Sequence, residues 1–386
     1  MFPERLTRRE MLRRSAGAGL FFFRGAGFLQ SDDEETLPWA DLPEPLAPGA
    51  RPGIRFYDLT RLRAPITSNP DFFLLQHGEV PRLDASRWRL AVGGLVEKPV
   101  ELLLSGLQRR QKAEVTTCIE CAGNGGYGMH GLVGNARWAG VPLAPVLDEL
   151  GIRPGAREVV FTGADPATER LRGEEYPSRF ARSLPLSEAR DPGILLAYEM
   201  NGEPLPVEHG YPLRLIVPGW YGVAQVKWLE RIELIDRPFM GWYMAKDYVT
   251  LRGEDRGGRI EYQATSVAKM KLKSIITRVT RRRFSKGADR YTICGAAWGN
   301  GARIRSVEIR IDGDEFRPAE LEPPSSPFAW TLFHLRWRNP APGPHTLVSR
   351  ATDADDRTQP TEEEARRGKV TPWENNGQVA RRIILS

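Results

Sequence analysis

Val115-Thr116-Thr117-Cys118-Ile119-Glu120-Cys121-Ala122-Gly123-Asn124-Gly125-Gly126 runs a β-rich stretch directly into a glycine-rich turn. β-Branched residues fit a pleated strand, and glycines let the chain turn sharply and let a ligand approach the backbone. Cys121 therefore sits at a strand end with open backbone beside it, the kind of position that carries chemistry. Four readings compete for it. A zinc or iron-sulfur site needs about four ligands, and one Cys-x-x-Cys with five histidines in the whole chain falls short. Covalent haem needs His directly after the second Cys, where this chain has Ala122. Gly123, Gly125 and Gly128 satisfy G-x-G-x-x-G after a strand, but Met129-His130-Gly131-Leu132-Val133-Gly134 is no amphipathic helix to hold a pyrophosphate. A buried structural cysteine is the commonest fate of a free thiol. The local residues do not choose among these.

Outward from this stretch, strand-like runs alternate with short helical ones between Phe72 and Pro238. Arg89-Leu90-Ala91-Val92, Glu158-Val159-Val160-Phe161 and Leu213-Arg214-Leu215-Ile216-Val217 read as strands, and Leu143 to Leu150 as a helix. Turns rich in Gly and Pro separate them, which gives an α+β domain over residues 54–268. After Lys273 the texture changes to short strands at regular spacing: Ser274 to Val279, Tyr291 to Ala296, Ser306 to Ile311, Ala329 to Leu335, Thr346 to Ala351 and Gln378 to Leu385. No helix of any length fits between them, so residues 269–386 are expected to form an all-β, immunoglobulin-like antiparallel sandwich. The basic run Arg281-Arg282-Arg283 reads as a solvated turn.

Before the first domain, residues 31–53 are proline-rich and acidic and read as an extended surface arm, with order resuming near Ile54. Residues 1–30 look like an export signal of the twin-arginine type: Thr7-Arg8-Arg9-Glu10-Met11-Leu12, an apolar stretch from Ala16 to Leu29, then Asp32-Asp33-Glu34-Glu35. That stretch is too short to span a bilayer comfortably. The expected location is periplasmic or otherwise exported. The formal charge is +6, but six arginines against two glutamates place +4 of it before residue 31. The remaining +2 gives no reason to invoke nucleic acid. Cargo of this route has usually acquired a cofactor before export. Cys118, Cys121 and Cys294 are the only cysteines, an odd count that is not a disulfide framework.

Cys121-Ala122-Gly123-Asn124 resembles the metal-binding loop of the sulfite oxidase family, and its neighbours match in order. These are Ala136-Arg137-Trp138-Ala139-Gly140-Val141-Pro142-Leu143, the run Leu195 to Pro206, His209-Gly210-Tyr211-Pro212-Leu213-Arg214, Val217-Pro218-Gly219 and Val226-Lys227-Trp228-Leu229. Gly295-Ala296-Ala297-Trp298 and Ile309-Arg310-Ile311-Asp312-Gly313 resemble the family's dimerisation domain. The resemblance covers nearly all of the chain after Ile54. It implies a molybdenum-molybdopterin cofactor, one metal per chain, with the Cys121 thiolate as a ligand suited to a soft, sulfur-rich centre. By motif position Phe73, Gln76, His77, Asp165, His209, Arg214 and Lys227 would contact the cofactor, with backbone contacts from Gln225 and Val226. Its phosphate calls for fixed cations, and Asp165 matches a carboxylate that receives pterin N–H groups. Tyr248 matches a family tyrosine near the metal, where a phenol can donate a hydrogen bond and pass a proton.

The pattern departs at the substrate. Family members that oxidise sulfite hold the dianion with arginines; here those positions fall on Leu75 and on Gly125 or Gly126. The expected substrate is therefore less anionic or bulkier than sulfite. The implied reaction is two-electron oxygen-atom transfer, most simply oxidation of sulfite or a related sulfur compound. No haem or flavin motif is present, so electrons would pass to a separate carrier such as a periplasmic cytochrome c, and the protein would be a homodimer through its sandwich. Three alternatives stand beside this: reduction of S-oxides or N-oxides on the same centre, a non-catalytic exported adhesion module, and a thiol redox protein using Cys118 and Cys121.

Overall fold

The computed structural model describes residues 34–42 and 53–386; the export signal expected at 1–30 lies outside the described residues. From Ile54 to Ser266 the chain forms an α+β domain with two five-stranded sheets. One sheet orders Val100–Leu103, Arg89–Gly94, Leu229–Ile235, Glu158–Leu171 and Glu174–Pro185, with Arg89–Gly94 and Leu229–Ile235 parallel and the other pairs antiparallel. The other sheet runs Glu203–Pro204, Leu195–Met200, Val133–Pro142, Ala113–Glu120, and Arg214–Ile216 also pairs with Leu195–Met200. The strand expected before the cysteine turn is thus the edge of the second sheet. The helix expected over Leu143–Leu150 forms there, with Leu143, Val146, Leu147 and Leu150 as its buried stripe.

The sandwich has the sheet Glu34–Leu37, Lys273–Arg282, Arg290–Trp298, Thr331–Trp337, Glu320–Leu321 against the sheet Arg317–Pro318, Ile304–Ile311, Gly343–Asp353, Ala380–Leu385. Alternation along the strands, shifted by an irregularity between Ile276 and Arg278, sends Ile276, Val279 and Ile293 into the core between the sheets, with Val307, Ile309 and Leu347 facing them. The opposite set, including Ile275, Ala296 and Trp298, belongs to the core of the first domain. A sheet face covered this way explains why nine of the ten residues in Lys273–Arg282 are buried. Each fully buried large apolar side chain contributes about 1.5–3 kcal/mol. The two domains are therefore joined by core packing rather than by a flexible seam.

Three expectations need correction. Glu34–Leu37 is not part of a surface arm: it pairs antiparallel with Lys273–Arg282, Leu37 enters the sandwich core, and Trp39 donates to the Thr277 carbonyl at 3.2 Å. The proline signal dominated that reading, yet these four residues contain no proline and can supply an edge strand. Arg281 is a buried strand residue, ion-paired to Glu35 at 2.8 Å, while Arg283 is exposed. Finally, Glu362–Arg367 is a short helix between the last two long strands. Thr361 and Glu364 form a capping box, and Glu362–Arg366 and Glu363–Arg367 pair at i,i+4. Its only buried residue is Ala365, so it carries no apolar periodicity to betray it.

Candidate active site

Cys121, at the head of the glycine-rich turn after Glu120, lines a cleft in the first domain. Phe73, Gln76, His77, Cys121, Asp165, His209, Arg214, Gln225, Lys227 and Tyr248 all line it, brought together from widely separated stretches of chain. Val226 does not. Its N–H donates to the Ala224 carbonyl and its own carbonyl accepts from Leu215 N–H, so both backbone groups are engaged behind the cleft wall. Gln225 is engaged too: its side chain bonds Val217 N–H and the Val217 and Trp220 carbonyls, and its backbone carbonyl accepts from Arg214. Val226 therefore stands behind the wall, whereas Gln225 lines the cleft with its side chain and carbonyl already bonded; together they shape the loop that presents Lys227.

Cys121 is held at both ends of its loop. Its N–H donates to the Leu132 carbonyl at 2.9 Å, and Asn124 accepts from Leu132 N–H at 2.7 Å through its side chain. The thiol is buried, and burial pushes its pKa up to about 12, with Glu120 adding to the shift while the Gly123 N–H and Lys273 oppose it. Such a thiol is a poor nucleophile, whereas a bound metal displaces its proton. Cys118 is wholly buried and does not line the cleft, which leaves a Cys118–Cys121 thiol couple without a shared surface. The segment that follows the glycines is a single short 3-10 turn over Asn124–Tyr127, so no dinucleotide-type helix begins there.

The cleft wall also presents buried positive charge. Arg214 lies over the Trp138 ring at 4.6 Å and donates only to carbonyls, His209 at 2.8 Å and Gln225 at 3.3 Å, leaving Nε unpartnered. Lys227 lies over Trp228 at 4.2 Å and likewise donates to the Leu75 and Glu208 carbonyls. Among the described residues no carboxylate forms an ion pair with either. Burial first, then the neighbouring Arg214, lowers Lys227 to about 7, and burial lowers Arg214 to about 9. Gly210 allows the approach: with φ at 108°, a Cβ there would meet Arg214 Cβ at 3.0 Å and Lys227 Cα at 3.2 Å.

Uncompensated buried cations are unfavourable unless an anion joins them. The remaining unpartnered atoms nearby are Asp165 Oδ1, His209 Nε2 and Gln76 Oε1, a mixture of acceptors and a histidine nitrogen. Desolvation raises Asp165 to about 6 and lowers His209 to about 3. This set fits a group that carries a phosphate and ring N–H donors, in the same cleft that Cys121 lines.

Beside Cys121, Tyr248 Oη lies 2.9 Å from His77 Nε2. The His77 ring stacks on Phe180 at 5.4 Å and 4° and meets Tyr243 at 4.8 Å and a tilt of 36°. Burial, then Lys227, lowers His77 to about 4, and burial with the Cys121 and Asp247 charges raises Tyr248 far above the ordinary phenol range. The second domain also reaches this point. Trp373 stacks on Tyr248 at 4.8 Å, and Glu374 N–H donates to the Ala122 carbonyl at 2.8 Å. Neither Trp373 nor the Arg182 guanidinium, buried behind Tyr248 on the Tyr243 and Val267 carbonyls, was legible beforehand, because no local pattern marks them.

The chain is similar to known proteins over both domains. Residues 77–243 match the oxidoreductase molybdopterin binding domain, and residues 264–374 match the Mo-co oxidoreductase dimerisation domain. The fold and site thus define a molybdopterin-binding oxidoreductase domain joined to a dimerisation domain. Mitochondrial sulfite oxidase of Rattus norvegicus is 33% identical over 318 residues, 76% of this chain and 57% of that protein. Sulfite oxidase of Gallus gallus is 30% identical over 369 residues, 86% of this chain and 79% of that protein. The crystal structure of the sulfane dehydrogenase SoxCD from Paracoccus pantotrophus matches with a TM-score of 0.74 and 29% identity, over 92% of this chain and 90% of that one. The chain belongs to the sulfite oxidase family, whose cofactor is molybdenum-molybdopterin. It spans a little over half, 57%, of the length of its rat relative.

Proposed function

We propose that this protein is an exported, homodimeric molybdenum-pterin oxidoreductase that oxidises a sulfur compound and passes the electrons to a separate carrier, a periplasmic cytochrome c. The observation that carries this reading is one cleft lined by Cys121, the Tyr248–His77 pair and the buried cations Arg214 and Lys227, neither of which forms an ion pair among the described residues. When bound there, the molybdenum-pterin group supplies two-electron oxygen-atom transfer, with water as the oxygen source in the oxidising direction.

The chain's own residues do the rest. Cys121 would supply a thiolate to the metal, Arg214 and Lys227 would neutralise the phosphate, and Asp165, His209 and Gln76 would accept or share the pterin's hydrogen bonds. Tyr248 holds a proton beside the reacting position, and its hydroxyl is fixed by a hydrogen bond to His77, which burial keeps neutral and contacts with Phe180 and Tyr243 keep oriented. Leu75 lines the cleft, and the space beside Gly126 is open, where relatives that bind sulfite need arginines. This favours a substrate less anionic than sulfite, such as sulfane sulfur, the substrate named for the dehydrogenase of similar structure. The sandwich is read as immunoglobulin-like and as the surface through which two copies pair, a reading supported by its match to the dimerisation domain.

Elemental analysis of the purified protein should give about one molybdenum per chain, matched to the one-thiolate site. Turnover of sulfite, thiosulfate and sulfane compounds with cytochrome c as acceptor should exceed reduction of sulfoxides and N-oxides. Metal-free protein, or faster reduction than oxidation, would overturn the proposal. Light scattering should give a dimer. Replacing Arg8 and Arg9 by lysine should keep the protein in the cytoplasm if the export reading is right.

A further inference from the structure

The residue immediately before the cleft cysteine is a buried carboxylate whose partners come from both domains. Glu120 is 1% exposed. Its Oε1 accepts from Lys273 Nζ at 2.7 Å and from Asn124 Nδ2 at 2.9 Å, and its Oε2 accepts from Trp298 Nε1 at 2.9 Å. Lys273 and Trp298 stand directly opposite each other at the start and end of the central hairpin of the sandwich, and both are 1% exposed. Asn124 is in turn the residue that closes the Cys121 loop onto Leu132. The sandwich grips the same loop a second time, where Glu374 N–H holds the Ala122 carbonyl and the Trp373 ring would sit 3.0 Å from a Cβ at Gly123.

We infer that the sandwich domain sets the position of the Cys121 sulfur: Glu120, Lys273 and Trp298 are positioning residues that act through the loop they anchor. The physical reason is directional. A fully satisfied buried carboxylate with three donors has one geometry, and the single peptide bond between Glu120 and Cys121 passes that geometry on. Apolar packing alone would fix the loop's depth without fixing its rotation. A change in the sandwich therefore acts on the site directly, with no linker between.

This inference rests on the reading of Cys121 as the metal ligand, and its test separates the two. Lys273→Met alone leaves the Glu120 charge buried and unpaired and is expected to fold poorly. The informative variant is Glu120→Gln with Lys273→Met, which removes both charges while the new side-chain amide can still accept from Trp298; Trp298→Phe removes one donor and serves as the milder second variant. In cofactor-free full-length protein, maleimide labelling followed by peptide mass spectrometry reads the rate at each cysteine. Cys121 should label roughly tenfold faster in the double variant, and less so in Trp298→Phe, because loss of charged hydrogen bonds favours local opening. Cys118 and Cys294 should keep their parent rates. In the loaded enzyme the thiolate-to-metal absorption band should shift in both variants and vanish in Cys121→Ala. A Cys121 rate within twofold of the parent, or equal acceleration at all three cysteines, would overturn the positioning role. A band that survives Cys121→Ala would overturn the ligand reading alone.

Discussion

Tyr248 Oη and His77 Nε2 meet at 2.9 Å although 171 residues separate them in the chain. His77 stacks on Phe180 and packs against Tyr243, and Tyr248 rests on Trp373, so neither partner can turn away without breaking a ring contact. Tyr248→Phe keeps the ring and removes only the hydroxyl. It is expected to lower kcat by about 10²-fold with little change in KM, the usual size of a lost proton-transfer group. With His77 held at about 4 and Tyr248 above the ordinary phenol range, the pair should give a flat rate profile between pH 5 and 9. A wild-type inflection near 6.5 that disappears on mutating His77 would show that the imidazole titrates freely.

Buried neutral histidines make the fold acid-sensitive in a definite window. His77 and His209 have folded-state values of about 4 and about 3, below the ordinary 6.5. Above 6.5 both folded and unfolded chains are unprotonated and stability from these groups is constant. As pH falls from 6.5 through 4 the unfolded chain takes up protons first, so stability is lost on acidification. The Tm of cofactor-free protein should fall over this range, and His209→Gln should fall less steeply. Equal slopes would rule out a contribution from His209.

The cation pair should bind a small dianion in a pH-dependent way. Lys227 is charged in the empty cleft only below about 7, and a bound anion raises that value, so binding takes up a proton. Inorganic sulfate, whose charge is constant here, should bind cofactor-free protein about tenfold more tightly at pH 6 than at 8.5. Lys227→Met should remove the pH dependence as well as weaken binding. Sulfate affinity that is unchanged in Lys227→Met would place the anion elsewhere.

The two neighbouring cysteines should behave differently. Cys121→Ala is expected to abolish turnover with the fold intact, since the thiol points into the cleft and its backbone bonds remain. Cys118→Ala should retain most activity and lose some stability, about 1 kcal/mol for a small group removed from a filled core. Full activity in Cys121→Ala, measured by sulfur-compound oxidation, would contradict the site.

Sulfite should be a poor substrate. Each missing arginine contact forfeits about 1.5–3 kcal/mol. Two would weaken an oxyanion by about two to four powers of ten if they added, although contacts in one site often do not. The Leu75→Arg, Gly126→Arg variant should lower the KM for sulfite. A micromolar KM in the parent, unimproved in the variant, would mean that charge reaches the site from another part of the chain.

The order of the domains, the strand texture of the sandwich and the cysteine loop were legible because each depends on neighbours in sequence. Alternation made Tyr291–Ala296 a strand, and the 3.6-residue stripe Leu143, Val146, Leu147, Leu150 made a helix. Resemblance then assembled His209, Arg214 and Lys227 before any geometry was available. Glu34–Leu37 and Glu362–Arg367 escaped because their stability is borrowed. The first takes it from a distant strand, with Glu35 and Arg281 paired across 246 residues, and the second from a cap and ion pairs without an apolar face.

By itself the sequence determined which chemistry the chain can host, since residue type and local spacing decide that a thiol, a phenol and two cations are present. Only the tertiary structure decided that Cys121 is presented to the cleft and Cys118 is sealed, that Val226 stands behind the wall, and that Lys273 and Trp298 of the second domain reach back to Glu120. The physical reason is that burial and donor direction are set by which surfaces pack together. A contact such as Glu120 to Trp298, across 178 residues, leaves no local trace in either segment.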